Sequence, residues 1–258
     1  MLADLTAGSV ADARRREAEL PLDELRLRAE AMPPALDAVA ALRGGDRVKI
    51  LAEVKRASPS RGDLAEIRDP AELAAAYERG GASAISVLTE ERRFKGSLDD
   101  LRAVRARVGV PVLRKDFIAT EYQVYEARAA GADIVLLIVA ALDDALLAQL
   151  YRLITELGMT ALVETHSAEE LDRAIALGAN VIGVNARNLS TFELDRDLFG
   201  QLAPRIPAGT IRIAESAVLT PEDVAHYRRA GADVVLIGEA LVSGDPVETL
   251  TSFLGVDA

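Results

Sequence analysis

Apolar and polar residues are arranged in two alternating patterns from residue 47 onward. Short apolar runs rich in β-branched residues predict strands, and the segments between them have apolar residues at helical spacing. The run Ile134–Val139 is apolar on both faces, which is typical of parallel strands covered by helices. The intervening segments include Glu121–Ala130 and Pro221–Ala230, and Thr220 followed by Pro221 is a helix start. The predicted strands are Lys49–Arg56, Ala84–Thr89, Val110–Phe117, Ile134–Val139, Thr160–Thr165, Val181–Arg187, Arg212–Ala217 and Val234–Glu239.

A weak internal repeat accompanies this alternation. A glycine followed by alanine precedes four of the strands, at Gly81, Gly131, Gly178 and Gly231. Glycine ends helices readily because it adopts a left-handed conformation at little cost. Repeated βα units without a long break predict an α/β protein, specifically a closed (β/α)8 TIM barrel. An open doubly wound sheet is the alternative, but the glycine-rich dinucleotide fingerprint expected after its first strand is missing.

Residues 1–46 precede the barrel and are predicted to be a helical extension packed on it, with 47–258 as the catalytic barrel. One helix is predicted over Val10–Met32, stopped by Pro33 and Pro34, and a second over Ala35–Leu42. The favoured placement closes the bottom or flank of the barrel. The alternative placement covers part of the active-site mouth.

Composition narrows the range of functions. The net charge of −11 argues against nucleic acid or an anionic membrane as a partner. The chain has no cysteine and two histidines, which excludes disulfides and disfavours a metal site. No leader pattern or membrane-spanning apolar stretch is found in the sequence, so we expect a cytoplasmic protein. A pocket lined by lysine and arginine can still bind a small anion.

Ionisable residues follow several of the predicted strands. Glu53 and Lys55 lie two apart and therefore share one face of the first strand. Barrel enzymes place their active sites at the carboxyl ends of the strands. Lysines and glutamates gathered there would move one another's pKa values, which allows an acid and a base to coexist at neutral pH. The other polar strand ends contain Ser58, Lys115, Glu164, Asn185, Arg187, Glu215, Ser216, Gly238 and Glu239.

Several neighbouring residues are predicted to be structural instead. Arg114 and Asp116 alternate with Lys115 and should face the helices as a pair. His166 is expected to support the turn before the next helix. The charge run 90–93 is expected to be a solvated loop, which leads into Phe94, an aromatic residue positioned to close over a planar substrate.

The last two strands suggest a phosphate site. Barrels often bind phosphate through backbone amides in the loops after these strands. The residues concerned are Ser216, Ala217, Gly238 and Glu239. Gly238 would allow close approach of the backbone, and the alternative interpretation is that this glycine only relieves packing.

Taken together, several long segments resemble the indole-3-glycerol-phosphate synthase family. The resemblance covers about residues 45–250. The matching blocks are Ala52–Gly62 (AEVKRASPSRG), Ser86–Leu98 (SVLTEERRFKGSL), Leu113–Phe117 (LRKDF), Tyr122–Ile138 (YQVYEARAAGADIVLLI), Leu162–His166 (LVETH), Ile182–Leu189 (IGVNARNL), Ala214–Ser216 (AES) and Leu236–Leu241 (LIGEAL).

This resemblance implies a lyase of tryptophan biosynthesis that needs no cofactor or metal. Its substrate would be 1-(2-carboxyphenylamino)-1-deoxyribulose 5-phosphate, which undergoes ring closure, decarboxylation and dehydration. By family analogy, Lys115 is the acid for ring closure and Glu164 the base for dehydration. Lys55, paired with Glu53, would contact the anionic substrate and share acid work in the later step.

The resemblance also implies roles for the remaining residues. Asn185 and Glu53 would orient the reacting groups, and Arg187 and Ser58 would bind the substrate carboxylate. The residues implied for the anthranilate pocket are Phe94, Phe117 and Leu136, and those implied for phosphate are Ser216, Ala217, Gly238 and Glu239, with Lys55 contributing.

Three positions depart from the usual family pattern. Ala217 replaces a glycine, and it would be strained if the backbone there has positive φ. Ala186 replaces a second asparagine and should point away from the bore. Glu239 replaces a serine or glycine, and its carboxylate would have to turn away from phosphate.

Other functions remain open at this point. One is another phosphosugar barrel, either an isomerase or an aldolase that forms a Schiff base through Lys115. The other is a non-catalytic or engineered barrel of the same family. We expect the protein to be a monomer.

Overall fold

Parallel strands close into a barrel in the computed structural model, which describes residues 1–59, 62–188, 193–242 and 244–256. Around the barrel the order is β1, β10, β9, β8, β7, β6, β5 and β4, and β4 pairs with β1. The predicted (β/α)8 barrel is therefore confirmed. Its strands are β1 (Lys49–Val54), β4 (Ala84–Leu88), β5 (Val112–Lys115), β6 (Ile134–Ile138), β7 (Thr160–Thr165), β8 (Val181–Asn185), β9 (Ile211–Glu215) and β10 (Val234–Ile237).

Most observed strands end before their predicted ends, because the last polar residues leave the sheet to form the rim. A small antiparallel hairpin of β2 (Ala57–Ser58) and β3 (Gly62–Asp63) follows β1. Ser60, Arg61 and Leu189, which belong to two of the matching sequence blocks, lie outside the described residues.

Side chains alternate across the barrel wall as strand geometry requires. On β1, Leu51 belongs to the apolar cluster that fills the bore, whereas Ile50 and Ala52 pack against the surrounding helices. Glu53 and Lys55 continue the Leu51 side, so they face into the mouth of the barrel. The pattern of β1 therefore carries charge into the cavity.

Helices surround the barrel and cover its outer apolar face. The predicted helices after β5 and β9 are confirmed, and the side chain of Thr220 caps the latter by accepting from the Asp223 amide. The helices after the extension are α4 (Pro70–Arg79), α5 (Leu98–Arg107), α6 (Glu121–Ala129), α7 (Asp144–Glu156), α8 (Ala168–Leu177), α9 (Leu198–Leu202), α10 (Pro221–Arg229) and α11 (Pro246–Leu254).

The repeated glycines have the predicted left-handed conformation. Their φ angles are 97° at Gly81, 90° at Gly131, 77° at Gly178 and 94° at Gly231. A side chain at these positions would be strained, so glycine allows each helix to turn back into the next strand.

The extension contains an additional break. The predicted single helix over Val10–Met32 is wrong: α1 (Leu2–Glu19) and α2 (Leu22–Glu30) are separate. Leu20 is extended, with φ −131° and ψ 97°, because the following Pro21 disfavours a helical conformation before it. The third helix, α3 (Ala38–Leu42), is shorter than predicted, and the side chain of the preceding Asp37 caps it by accepting from the Ala40 amide.

The extension reaches both ends of the barrel, so each of the two placements holds for a different part of it. In α3, Ala38 and Leu42 pack with Ala84 and Val234, the first residues of their strands, and close the bottom. At the opposite end, Leu5 of α1 lines the cavity at the mouth. The favoured placement is thus incomplete, because it left α1 away from the site.

Candidate active site

One cavity at the carboxyl ends of the strands brings the predicted site residues together. Every one of them lines it, although this placement does not by itself establish their roles. The residues are Glu53, Lys55, Ser58, Phe94, Lys115, Phe117, Leu136, Glu164, Asn185, Arg187, Ser216, Ala217, Gly238 and Glu239.

The centre of the cavity is an ammonium group between two carboxylates. Lys115 Nζ donates to Glu164 Oε2 at 2.6 Å and to Glu215 Oε2 at 2.7 Å. The side chains of Glu164 and Glu215 are 2% and 1% exposed, and that of Lys115 is 12% exposed. Charges so far from water interact strongly.

The two carboxyl groups have different proton affinities. Burial alone would raise the pKa of Glu164, but the Lys115 and His166 cations hold that pKa well below its ordinary value. Burial raises the pKa of Glu215 to about 8, opposed by Lys115 and assisted by Glu164. Burial disfavours the charged form of Lys115, yet the two carboxylates raise its pKa. The cluster can thus hold a base and an acid side by side.

Glycine makes room for both pairs of charges. A Cβ at Gly183 would clash with Glu215 Oε1, so the glycine on β8 allows Glu215 to fold over that strand. A Cβ at Gly238 would lie 2.9 Å from Glu53 Oε1. The packing interpretation of Gly238 is therefore correct at least in part.

A second ion pair lies on β1. Lys55 Nζ is 2.6 Å from Glu53 Oε1, and Ser86 Oγ donates to Glu53 Oε2 at 3.2 Å. Glu53 is buried, whereas the Lys55 side chain is 21% exposed. The ammonium of Lys55 is therefore oriented by Glu53 while it still reaches the cavity.

Backbone geometry singles out the loop after β9. Ser216 and Ala217 have φ angles of 71° and 58°, so the predicted condition for strain at Ala217 is met. Asn185 Oδ1 accepts hydrogen bonds from Ser216 Oγ at 2.8 Å and from the Arg187 amide at 3.0 Å. Asn185 thereby ties the ends of β8 and β9 together.

The apolar side of the cavity is aromatic. The rings of Phe94 and Phe117 are tilted at 44° with centroids 6.1 Å apart, and Leu136 lies in the same buried cluster. Leu5 of α1 joins them, which the sequence reasoning did not find because helix pattern alone does not say which end of a barrel a helix covers.

The charge run before Phe94 is a solvated loop at Glu91, Arg92 and Arg93, as predicted, but Glu90 is buried, which corrects the prediction at that residue. Glu90 is 2% exposed and its carboxylate accepts hydrogen bonds from the amides of Arg92, Arg93 and Phe94. Arg92 also pairs with Asp12 of α1 at 2.9 Å. A buried carboxylate and the extension together fix the loop that carries Phe94.

Arg114 and Asp116 form the structural pair predicted from their alternation with Lys115. Arg114 Nη2 donates to Asp116 Oδ2 at 3.0 Å, and Arg114 is fully buried. Asp116 also accepts from Ser9, Thr89 and its neighbouring Phe117 amide.

Two charged residues of the site were missed. Glu215 was recognised at the rim but assigned no role, although its spacing of two from Ile213, which faces the bore, could have indicated its direction. His166 was assigned to a turn, and its amide does donate to Glu170 at 2.8 Å. Its ring, however, also reaches Glu164, with Nε2 at 3.2 Å from Oε1.

Solved structures share the fold at low sequence identity. An N-acetylmannosamine-6-phosphate 2-epimerase from Clostridium perfringens has a TM-score of 0.61 at 15% identity, covering 82% of this chain and 93% of that one. A thiamine phosphate pyrophosphorylase from Pyrococcus furiosus has a TM-score of 0.62 at 13% identity, covering 81% and 94%. These similarities concern the fold alone.

Sequence relatives are much more similar. An indole-3-glycerol phosphate synthase from Leifsonia xyli is 67% identical over 256 residues, covering 99% of this chain and 98% of that protein. Another from Mycolicibacterium gilvum is 60% identical, covering 95% and 90%. Indole-3-glycerol phosphate synthase 1 of Streptomyces coelicolor is 57% identical, covering 98% and 94%.

Fold and site together define a (β/α)8-barrel enzyme with a buried acid–base cluster beside an apolar pocket. The family model of indole-3-glycerol phosphate synthase matches residues 2–253. The chain belongs to the indole-3-glycerol phosphate synthase family, whose members are decarboxylating lyases of tryptophan biosynthesis acting on a phosphosugar-type substrate. The predictions of family and reaction class are confirmed.

Proposed function

We propose that this chain converts 1-(2-carboxyphenylamino)-1-deoxyribulose 5-phosphate to indole-3-glycerol phosphate with Lys115 and Glu164 as its acid and base. The observation that carries this assignment is the Lys115 ammonium, 2.6 Å from Glu164 and 2.7 Å from Glu215, beside the Phe94 and Phe117 rings. An acid positioned next to a base over a planar pocket suits cyclisation of an aromatic amine.

In the first step, the ring carbon that carries the carboxylate attacks the ketone carbon. Lys115 protonates the ketone oxygen as it becomes a hydroxyl. Carbon dioxide then leaves and its bonding electrons restore the aromatic ring. In the last step, the hydroxyl takes a proton from Lys55 and departs as water, while Glu164 accepts a proton from the neighbouring carbon, which completes the indole.

Substrate binding is assigned to the remaining residues. Arg187 and Ser58 would contact the carboxylate, and Glu53 and Asn185 would orient the reacting groups. The amides near Ser216, Ala217, Gly238 and Glu239 would bind phosphate, with Lys55 as the counter-charge. Leu136 would complete the anthranilate pocket.

A Schiff-base mechanism is the second candidate, and Lys115 argues against it. Imine formation requires a neutral amine. The two buried carboxylates raise the pKa of Lys115, so its ammonium form is favoured. Borohydride reduction in the presence of substrate would trap an adduct only in the Schiff-base case.

The direct test is incubation with the proposed substrate while indole fluorescence and carbon dioxide release are followed. Equal amounts of both products are expected. Substrate binding without either product would favour the non-catalytic barrel.

The predictions of cellular location, oligomeric state, partners and domain division are also part of this proposal. In the described part of the chain, no helix is both long and apolar enough to cross a membrane. We propose a cytoplasmic monomer without nucleic-acid partners or cofactor, in which residues 1–46 are an extension and 47–258 the catalytic domain.

A further inference from the structure

Glu164 and Glu215 are nearly equivalent in their contact with Lys115. Their oxygen atoms lie 2.6 Å and 2.7 Å from the same Nζ, and both side chains are almost fully buried. A shared lysine and equal burial cannot by themselves decide which of the two carboxyl groups is ionised. Something that contacts only one of them must make the distinction.

His166 is that contact. Its ring Nε2 lies 3.2 Å from Glu164 Oε1, the oxygen that does not face Lys115. Glu215 Oε1, by contrast, is a buried oxygen without a hydrogen-bond partner in the described structure. Glu164 is therefore held between two nitrogen groups, and Glu215 shares only one.

The contact between His166 and Glu164 is an ion pair. Nε2 and Oε1 are within ion-pair distance, but their geometry falls outside that of a hydrogen bond. A bare electrostatic contact requires the imidazole to be protonated, because a neutral ring would leave the carboxylate without a positive neighbour on that side.

A second carboxylate keeps the ring protonated. His166 Nδ1 lies 3.1 Å from Glu170 Oε2, and the same oxygen accepts from the His166 amide at 2.8 Å. The His166 side chain is 7% exposed, and burial alone would lower its pKa. The carboxylates of Glu164 and Glu170 outweigh that effect and raise the pKa to about 9.

We propose that His166 is a positioning residue that, held as a cation by Glu170, keeps Glu164 ionised and so assigns the role of base to Glu164 instead of Glu215. This inference rests on the proposed function. The groups that act on the pair are Lys115 and Glu215 from the barrel and Glu170 from the first turn of α8.

The test is the pH dependence of the single-turnover rate, so that product release cannot hide the chemical step. In the unaltered chain, Glu164 stays ionised and the rate should be level from pH 8 down to about pH 5. In His166→Gln, which has no charge, protonation of Glu164 should begin within this range. The pH at which the rate begins to fall on the acid side should rise by about one unit or more. The KM should stay within about threefold of its value in the unaltered chain.

A second, milder variant keeps the test valid if His166→Gln does not fold. Glu170→Gln retains an oxygen that can accept from the His166 amide, but it removes the charge that keeps His166 protonated. It should shift the limb in the same direction by less. Glu169→Gln is the matched control, because it removes an exposed charge from the same turn and should shift nothing.

An unchanged acid limb in both His166→Gln and Glu170→Gln would overturn the inference. A loss of rate that is equal at every pH would also overturn it, since it would indicate a purely structural role. If the unaltered chain forms no indole product at all, the proposed function fails and the inference fails with it. If indole forms but the acid side of the pH profile is unchanged in both variants, the inference is rejected and the proposed function stands.

Discussion

The two faces of β5 each hold buried charges, but they are built differently. On the outer face, Arg114 donates to Thr89, to the Gln123 carbonyl, to Asp116 and to Glu126, so its charge is neutralised and its hydrogen bonds are satisfied. On the inner face, Lys115 sits between two carboxylates, and one oxygen of Glu215 has no partner in the described structure.

This difference separates stability from chemistry. A saturated network costs little in the folded state but leaves no group available for reaction. An incompletely paired cluster keeps pKa values apart and leaves polar atoms free to meet a substrate. Neighbouring residues of one strand thus serve different purposes because they face different environments.

The largest expected effect is on the inner face. Lys115→Ala should reduce turnover by about 10³- to 10⁴-fold, because the acid for ring closure is lost. The chain should remain folded, as measured by circular dichroism. Lys49→Ala, at the opposite end of the barrel, is the control, and near-normal turnover in Lys115→Ala would make the acid assignment wrong.

The matching change on the outer face should affect stability. Arg114→Met leaves Asp116 as a buried carboxylate without its cation, whereas Glu126 keeps its pair with Arg16. The change should lower the free energy of unfolding by about 3–5 kcal/mol. Denaturant unfolding measures this. Arg107→Met removes an exposed pair with Glu72 and should change stability by less than about 1 kcal/mol. Equal effects of the two would contradict the distinction.

The two inner carboxyl groups should also differ from each other. Glu164→Gln removes the base and should slow turnover by about 10²- to 10³-fold. Glu215→Gln resembles the protonated form that Glu215 favours at neutral pH, so its effect should be at least tenfold smaller. Steady-state rates at pH 7 compare them, and a reversed order would exchange the proposed roles.

The two faces should contribute oppositely to the pH dependence of stability. Burial raises the pKa of Glu215 to about 8 in the folded state. The contribution of Glu215 to the free energy of unfolding is therefore present below its unfolded pKa and is lost as pH rises through about 8. Burial opposes ionisation of Asp116, but Arg114 and its other donors lower its pKa. The contribution of Asp116 to the free energy of unfolding is present above its unfolded pKa and is lost as pH falls.

Thermal unfolding at a series of pH values tests this contrast. Glu215→Gln should remove part of the decline between about pH 5 and pH 8, and Asp116→Asn should remove part of the decline below about pH 4. Changes in the same pH range for both variants would contradict it.

The smallest expected effect concerns backbone strain. Ala217→Gly relieves the positive φ of 58° but adds freedom to the unfolded chain, so the net gain in stability should be at most about 1 kcal/mol. The KM for substrate should fall or stay the same. Ala186→Gly, at a residue without positive φ, should instead be destabilising, and a gain there would show that strain is not the cause.

Much of the fold followed from local patterns in the sequence. Period-two and helical spacing predicted the strands and most helices, because those periods reflect which face of each element is buried. The left-handed glycines and the cap at Thr220 were also readable, since both depend on neighbouring residues only. The direction of Glu53 and Lys55 followed from the same alternation.

Contacts between segments that are distant along the chain could not be predicted from these local patterns. The contacts of Lys115 with Glu164 and Glu215 join residues that are 49 and 100 positions apart, on β5, β7 and β9. The contacts of the His166 ring with Glu164 and Glu170 are local, but the sequence pattern did not show that the ring faces both carboxylates. The placement of α1 over the mouth depends on long-range pairs such as Ser9 with Asp116 and Asp12 with Arg92. The sequence by itself therefore determined the barrel, the family and which polar residues reach the rim. Tertiary structure alone decided how those charges pair, because pKa values depend on burial and on neighbours that are remote along the chain.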